Sequence, residues 1–446
     1  MSWTSWHALG TELRRGTAPF AAVAFAVAGG VMLGNEVQDW AGRWLPLAEY
    51  IRVMLIVLCP LAVAAGAWQA GRERRRRMAD QWASTPRPRW QAVVTGWVAV
   101  TVGIFVGMLL AWGVAAVLVA RVASHAGPGW PLTLVVAFAG LAAASALGVL
   151  LGRVIPGRLV APVAGVLAYV GIGVSVYEGE SRGAMLVPTL GAAGSGLSSL
   201  AAGLQLWQLL WLGALAAVLV LLVAARRKWL AVLPAVLAAV AAWGVVSWPE
   251  DEHRVPDVAA RELVCADVDG PEVCLARVNA FLLDDAAPAV RQRLARWDGV
   301  DGGFVRAVDA RLWYDTGRFD VSDGTIAVDL IRYVSWNGRL TDTDPWGYDL
   351  DDEFAQATTL PVQIACDRDW TGDEPYYAAM EIAAGWARGG TPMAGVALEG
   401  REFEPPVIRA LLDRPEEEQK AWMSRYHQAA RTCDTAVLTA LVEELR

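Results

Sequence analysis

The sequence predicts an α-helical polytopic membrane domain of about seven transmembrane helices, followed by a water-exposed α+β domain. Three observations carry this. Seven hydrophobic stretches fill the chain up to Trp248. The charge then reverses: residues 1–249 hold 18 Lys/Arg against 8 Asp/Glu, and residues 250–446 hold 20 against 38. Four of the five cysteines lie in the acidic part.

The stretches run Pro19–Asn35, Ile51–Ala70, Val93–Ala120, Pro131–Leu151, Leu159–Tyr177, Leu206–Ala225 and Trp229–Trp248. A membrane helix needs about 20 mostly apolar residues to cross roughly 30 Å of hydrocarbon. Seven such runs in succession do not occur as buried helices of a soluble fold. The chain therefore divides into a six-helix part (1–225), a seventh helix with its linker (226–255) and a separate domain (256–446).

The basic excess clusters at segment ends, so the lipid bilayer rather than nucleic acid is its expected counterpart. Arg14 and Arg15 precede the first span, and Arg72 and Arg74 to Arg77 follow the second. Arg153 and Arg158 follow the fourth; Arg226, Arg227 and Lys228 separate the sixth and seventh. With seven spans all four clusters fall on one side. The opposite loops hold Glu36, Asp39, Glu49, Glu178 and Glu180 beside only Arg43, Arg52, Arg121 and Arg182. This predicts a cytoplasmic N-terminus and an extracytoplasmic acidic domain; a six-span count would put the domain inside. Pro19–Asn35 has no small-residue cleavage site and is expected to stay as a signal anchor.

Cys59 is intramembrane, whereas Cys265, Cys274, Cys366 and Cys433 share the acidic domain. An even set confined to one domain points to disulfides and an oxidising compartment. Leu263–Ala266 and Glu272–Ala276 alternate as strands around Asp269-Gly270. That favours Cys265–Cys274 and leaves Cys366 with Cys433.

Between the second and third spans lies Gly71-Arg-Glu-Arg-Arg-Arg-Arg-Met-Ala-Asp-Gln-Trp-Ala-Ser-Thr-Pro-Arg-Pro-Arg-Trp-Gln-Ala92. Met78, Gln81, Trp82 and Thr85 share one helical side at spacings of three and four. Pro86 and Pro88 then break the helix. The spacing alone fits a basic helix lying on anionic lipid as well as a helix meeting a partner.

Residues 184–205 are apolar yet broken by Pro188, Gly191, Gly194, Gly196 and Gly203. They are expected to form a re-entrant pair of short helices shielded by protein; an ordinary interfacial loop also fits the composition. No Asp, Glu, His or Lys stands in mid-span, which argues against ion-coupled transport and intramembrane acid–base catalysis. Arg52, near the end of the second span, is expected to snorkel. Small residues crowd the spans, as at Ala142–Ala146 and Ala161–Gly165, and favour close helix packing.

In the acidic domain, alternation predicts strands at Leu263–Ala266, Val273–Val278, Phe304–Tyr314 and Thr325–Val334. Helical periodicity marks Pro288–Trp297, Pro375–Trp386, Pro406–Asp413, Pro415–Thr432 and Thr435–Leu445. Strands precede helices, hence α+β.

Several chemistries are unsupported. The only lysines, Lys228 and Lys420, follow Arg227 and Gln419. No phosphate-binding Gly-Lys-Ser/Thr loop exists, so ATP use requires a separate subunit. His7, His125, His253 and His427 form no zinc-protease motif, and His427 reads as a helix-surface residue. Asp342, Asp344, Gly347 and Glu353 fall at calcium-loop positions, but Trp346 and Leu350 occupy ligand places; an acidic surface turn is the simpler reading. Gly194-Ser-Gly196 has no histidine partner in view. No catalytic residue, metal or cofactor is implied.

Gly71-Arg-Glu-Arg-Arg-Arg, then Ala83-Ser-Thr-Pro-Arg-Pro-Arg and a new span, resembles the inner loop of bacterial ABC-type exporter permeases of the second class. Those permeases commonly carry a Gly-Thr in this loop; here Arg77-Met78 stands in its place. Six spans with cytoplasmic ends and a hydrophobic segment before the sixth also fit, so the resemblance covers about residues 10–226. Cys265 to Cys274 and Leu-x-x-x-Pro-Glu-Glu-Glu-Gln-x-x-Trp at Leu411–Trp422 look similar to tails of actinobacterial permeases of this type. The resemblance implies a non-enzymatic transport subunit in the bacterial cell membrane, a homodimer or heterodimer of permeases, and a separate ABC ATPase. It also implies that Met78, Gln81, Trp82, Thr85 and Pro86 couple to that ATPase, with Trp82 as apolar anchor and Pro86 as fixed bend. A membrane sensor or scaffold, whose extracytoplasmic domain binds a ligand or partner protein, is the competing reading.

Overall fold

Pro19 and Pro131 each stand in the first turn of a long apolar helix, where a missing N–H costs nothing. The structure, a computed structural model, describes residues 3–75, 89–177, 183–266, 270–312, 324–366, 376–389 and 406–446. It divides into two units: residues 1–121 with 126–257, and residues 122–125 with 258–446.

The first unit is helical. The helices are α1 (Trp3–Arg15), α2 (Ala18–Asn35), α3 (Trp44–Arg75), α4 (Arg89–Val122), α5 (Trp130–Val154), α6 (Val160–Tyr177), α7 (Ala202–Ala224) and α8 (Val232–Val246). A short 3-10 turn, Lys228–Ala231, leads into α8. Seven of these segments are long and apolar enough to cross a bilayer. The helix α1 was not expected. Its Trp3, Trp6, Leu9 and Leu13 recur at helical spacing and its last turn carries Arg14 and Arg15, the pattern of a helix lying in a membrane surface.

Helix α3 packs against α5 and α6, α5 against α7, and α7 against α8. Backbone-to-backbone approach makes this possible. A Cβ at Gly66 would overlap the Ser145 carbonyl, and one at Gly148 or Gly152 would overlap those of Val63 or Ala67. Gly103 and Gly107 meet the carbonyls of Ala18 and Ala22 in the same way. Both Gly103/Gly107 and Gly148/Gly152 are small-xxx-small pairs, the spacing that lets membrane helices come close. Polar side chains add to this. Trp97 Nε1 donates to Ser145 Oγ at 3.1 Å, which lies 2.9 Å from Thr101 Oγ1.

The second unit holds the strands β3 (Leu263–Cys265), β4 (Glu272–Ala276), β5 (Arg306–Asp309) and β6 (Thr325–Val328) in that spatial order. The first pairing is antiparallel and the other two are parallel. A helix, Leu283–Leu294, connects the parallel strands β4 and β5, as a crossover requires. Later helices are Leu350–Cys366, Tyr376–Ala387, Pro406–Leu412, Glu416–Thr432 and Thr435–Glu443. Trp297 packs edge-on to Phe304 and Trp386 in the core.

Two expected strands of this unit are shorter than predicted, and one helix was not foreseen. Strand β5 stops at Asp309 rather than Tyr314, because the Asp309 carboxylate turns back to accept from Ala276 N, Asn279 Nδ2 and Arg311 N. Strand β6 ends at Val328, and Leu330–Tyr333 is a 3-10 turn. Leu350–Cys366 is a helix despite Pro361 within it, and Asp351, Asp352 and Glu353 fill its first turn, where the helix dipole favours acids. Both expected disulfides, Cys265–Cys274 and Cys366–Cys433, are present.

Candidate functional site

The apolar segment before α7 enters the span bundle without being helical. It comprises a 3-10 turn Ala184–Leu186, an irregular run, and a strand β1 (Ser198–Leu200) paired with β2 (Arg254–Pro256) beyond α8. The expected pair of short helices is not formed. Pro188 has no N–H and pushes Val187 into extended backbone, so the first turn cannot continue. Pro188 packs on Gly140, so close that a Cβ at Gly140 would lie 2.6 Å from its ring. Gly140 is ten residues into α5, about 15 Å at 1.5 Å per residue. This irregular segment, a plug between the helices, is therefore packed against α5 well inside that helix's length.

Irregular backbone packed among apolar helices needs partners from the protein. The spans supply them. Arg52 Nε donates to the Pro188 carbonyl at 2.7 Å, Gln208 Nε2 to Met185 O at 2.7 Å, and Trp211 Nε1 to Leu186 O at 2.9 Å. Gln205 Nε2 donates to Leu200 O at 3.0 Å while its Oε1 accepts from Thr133 at 2.9 Å. Glu49 Oε2 accepts from Gly194 N at 2.6 Å. Arg52 thus does not snorkel outward as expected; it is fully buried and turned inward against the plug.

Glu49 is also fully buried, and its second oxygen pairs with Arg254 Nη1 at 3.2 Å. The pair joins the start of α3 to β2, beyond α8. Gly194 is where the backbone passes the pair: a Cβ there would meet Glu49 Oε2 at 2.5 Å and Arg254 Nη1 at 2.7 Å. Gly196 adopts φ +85°, which favours glycine. Gly191 is exposed, with only Val176 near its Cβ direction. Of the four sequence-predicted positions, Pro188, Gly194 and Gly196 belong to the plug's fixed geometry and Gly191 does not.

Among the described residues Arg52 Nη1 and Nη2, Thr189 Oγ1 and Gln208 Oε1 have no hydrogen-bond partner. A cavity of about 10 Å³ lined by Met185 and Thr189 is about the room one water occupies. Glu49, Gln205, Gln208 and Trp211 were not evident from the sequence as plug partners. The readable signal was two glutamines three apart in an otherwise apolar helix, a spacing that puts both on one face.

The opposite end of α3 carries a second polar cluster. Arg72 pairs with Glu12 of α1, and Thr17 Oγ1 donates to Gln69 Oε1 at 2.6 Å. Glu49 and Arg72 are separated by about 35 Å of helix at 1.5 Å per residue, close to a bilayer's thickness. Helix α3 has 32 residues and α4 has 34, about 48 and 51 Å, so both outlast the hydrocarbon on either side of the connection between them. The expected coupling residues Met78, Gln81, Trp82, Thr85 and Pro86 lie in that connection, outside the described residues.

In the second unit His427 is not on a helix surface but 1% exposed, edge-on to Phe304 at 4.9 Å and to Trp297 at 6.0 Å. Burial, with Arg431 beside it, pushes its imidazole down to about 4. A groove of about 880 Å³ lies over it, walled by Gly302, Lys420, Ser424 and Arg431. The acidic turn is also more buried than expected. Asp344 accepts from Trp346 N and Tyr348 N at 2.9 Å each and pairs with Arg332, and Glu353 accepts from Asp329 N at 2.7 Å. These carboxylates are engaged by hydrogen bonds and an ion pair within the protein. Comparison with protein families, curated proteins and solved structures finds no match to this chain.

Proposed function

We propose that the chain is the membrane-spanning permease subunit of an ATP-binding-cassette exporter of the bacterial cell membrane, powered by a separate ATPase. The plug before the sixth span carries this reading. Arg52, Gln205, Gln208 and Trp211 hold a proline-led segment inside the bundle, and in this reading that segment is the obstruction that moves. A sealed path that opens on command is what an exporter requires. The long helix α3 supplies a lever that leads from the basic connection at residues 76–88 to the plug, which it meets at Arg52 and Glu49.

In this reading the arginine-rich ends are cytoplasmic by the positive-inside rule, and the disulfide-bonded second unit is extracytoplasmic, where disulfides persist. Two permeases, identical or different, face each other, and Met78, Gln81, Trp82, Thr85 and Pro86 form the contact with the ATPase. Purification of the native complex from membranes in mild detergent tests this. An ATPase bearing a phosphate-binding loop is expected to copurify in near-stoichiometric amount; a chain that purifies repeatedly without one contradicts the reading.

A second reading, a membrane sensor whose outer domain binds a ligand, is favoured by the groove over His427, which is of a size that small-molecule sites have. Ligand-dependent protection of helix Glu416–Thr432 in the absence of any ATPase partner would favour it.

A further inference from the structure

The two disulfides are built differently. Cys265 and Cys274 face each other directly across the antiparallel pair β3–β4. The hydrogen bond from Ala266 N to Val273 O falls on the adjacent pair. Bonded and non-bonded pairs alternate along such a ladder, so the cysteines hold a non-bonded position, where side chains lie closest. Their Cα atoms are 4.0 Å apart. Among the described residues, strand β3 is the edge of the sheet and pairs with β4 alone.

The two sulfur environments in this bridge are unequal. Cys265 is exposed and Cys274 is fully buried. Arg306, on β5, brings Nη2 to 3.6 Å from the Cys274 sulfur and Nε to 2.8 Å from Glu272. A thiolate released at Cys274 is born beside a guanidinium, and a leaving thiol of lowered pKa departs faster. The other bridge has the opposite setting. Cys366 ends the helix Leu350–Cys366, and Cys433 caps the C-terminus of Glu416–Thr432. The negative end of a helix dipole disfavours an anion at either sulfur, and Cys366 is 8% exposed.

We propose that Cys265–Cys274 is a thiol-exchange site served by a dithiol oxidoreductase, whereas Cys366–Cys433 is a permanent brace. A thiolate of the reductant attacks Cys265 Sγ and forms a mixed disulfide. The electron pair of the old S–S bond leaves on Cys274 Sγ, beside Arg306. The reductant's second thiol gives up its proton to solvent and attacks its own sulfur in the mixed disulfide. Cys265 departs as a thiolate and takes up a proton. The chain gains two electrons and the partner becomes a disulfide; the reverse sequence restores the bridge. Opening frees an edge strand of three residues, which then depends on its ladder hydrogen bonds alone. The site stands on β3, β4 and β5 and does not depend on the permease reading.

The full chain in detergent, treated with graded dithiothreitol, acid-quenched, alkylated and mapped by mass spectrometry, tests the proposal. Cys265 and Cys274 are expected to become alkylated at least tenfold faster than Cys366 and Cys433. With glutathione as a monothiol, the trapped adduct is expected on Cys265. Arg306→Gln is expected to slow opening several-fold, and Arg306→Lys to retain most of the rate. Equal rates for the two bridges, prior opening of Cys366–Cys433, or an adduct on Cys274 overturns the proposal. These readouts use the wild-type chain and hold even if the Arg306 variants fail to fold.

Discussion

Arg52 Nε donates to the carbonyl of Pro188 over 2.7 Å, with the arginine fully buried. A charge placed about 12 Å along its helix from Trp44 is thereby spent on one backbone oxygen of a segment far away in sequence. Arg52→Leu leaves that carbonyl unpaired and leaves buried Glu49 with less positive charge nearby. A loss of about 1–3 kcal/mol per orphaned group is the expected scale. Thermal unfolding in detergent is predicted to fall for Arg52→Leu and to fall less for Arg52→Lys, which keeps the charge.

Gly194 and Gly191 make a paired test of the plug. Alanine at position 194 drives a methyl into the Glu49–Arg254 pair, within 2.7 Å of both partners. Overpacking of this kind costs about 1–3 kcal/mol. Alanine at position 191 meets only Val176, at 4.0 Å, and is expected to stay within about 0.5 kcal/mol of wild type. Equal melting temperatures for the two variants in detergent would show that the plug is loosely held.

The second unit carries opposed titrations. Burial, aided by the Asp329 carboxylate, pushes Glu353 up to about 7 from an ordinary 4.5. Its contribution is fully present below about pH 4.5 and is lost as pH rises through about 7. Burial likewise pushes the carboxyls of Asp309 and Asp352 up, with the same sign. His427, pushed down to about 4 from 6.5, works the other way: its contribution is present above about pH 6.5 and is lost as pH falls through about 4. Relative to wild type, Glu353→Gln is predicted to lessen the loss of stability between pH 4.5 and 7, and His427→Phe to steepen the loss by removing the gain between pH 4 and 6.5. Hydrogen exchange across Leu350–Cys366 in the full chain reads both slopes; the same slope in both variants would contradict the assignment.

Much of this architecture was readable in the sequence, and the gaps have physical reasons. Spans declare themselves by composition, because lipid demands apolar residues along their whole length. The plug was marked by Pro188 and its glycines, but its shape was not. Its backbone is held by Arg52, Gln205, Gln208 and Trp211 rather than by local hydrogen bonds, and no local pattern encodes such distant partners. The Glu49–Arg254 pair spans 205 positions and had no sequence signature at all. By contrast, the burial of His427 was legible. Met423, Tyr426 and Ala430 give its helix a buried face at spacings of three and four that includes position 427. In the same way, Asp351, Asp352 and Glu353 announced a helix start that Pro361 obscured.

Trp82 is the large aromatic of the basic connection, and a lone aromatic of this kind gains most from burial in a partner groove. Trp82→Ala is predicted to leave membrane insertion and the melting temperature unchanged while reducing ATPase recovery in the purified complex at least several-fold. Equal recovery with wild type would instead favour a role for Trp82 in the lipid surface.

Site-directed photo-cross-linking from position 82 in native membranes tests the transport reading most directly. A photoreactive residue there, with the adduct mapped by mass spectrometry, is predicted to capture a protein whose peptides include a Gly-x-x-x-x-Gly-Lys-Ser/Thr loop. Capture of lipid alone, with no ATPase in the adduct, would contradict the account.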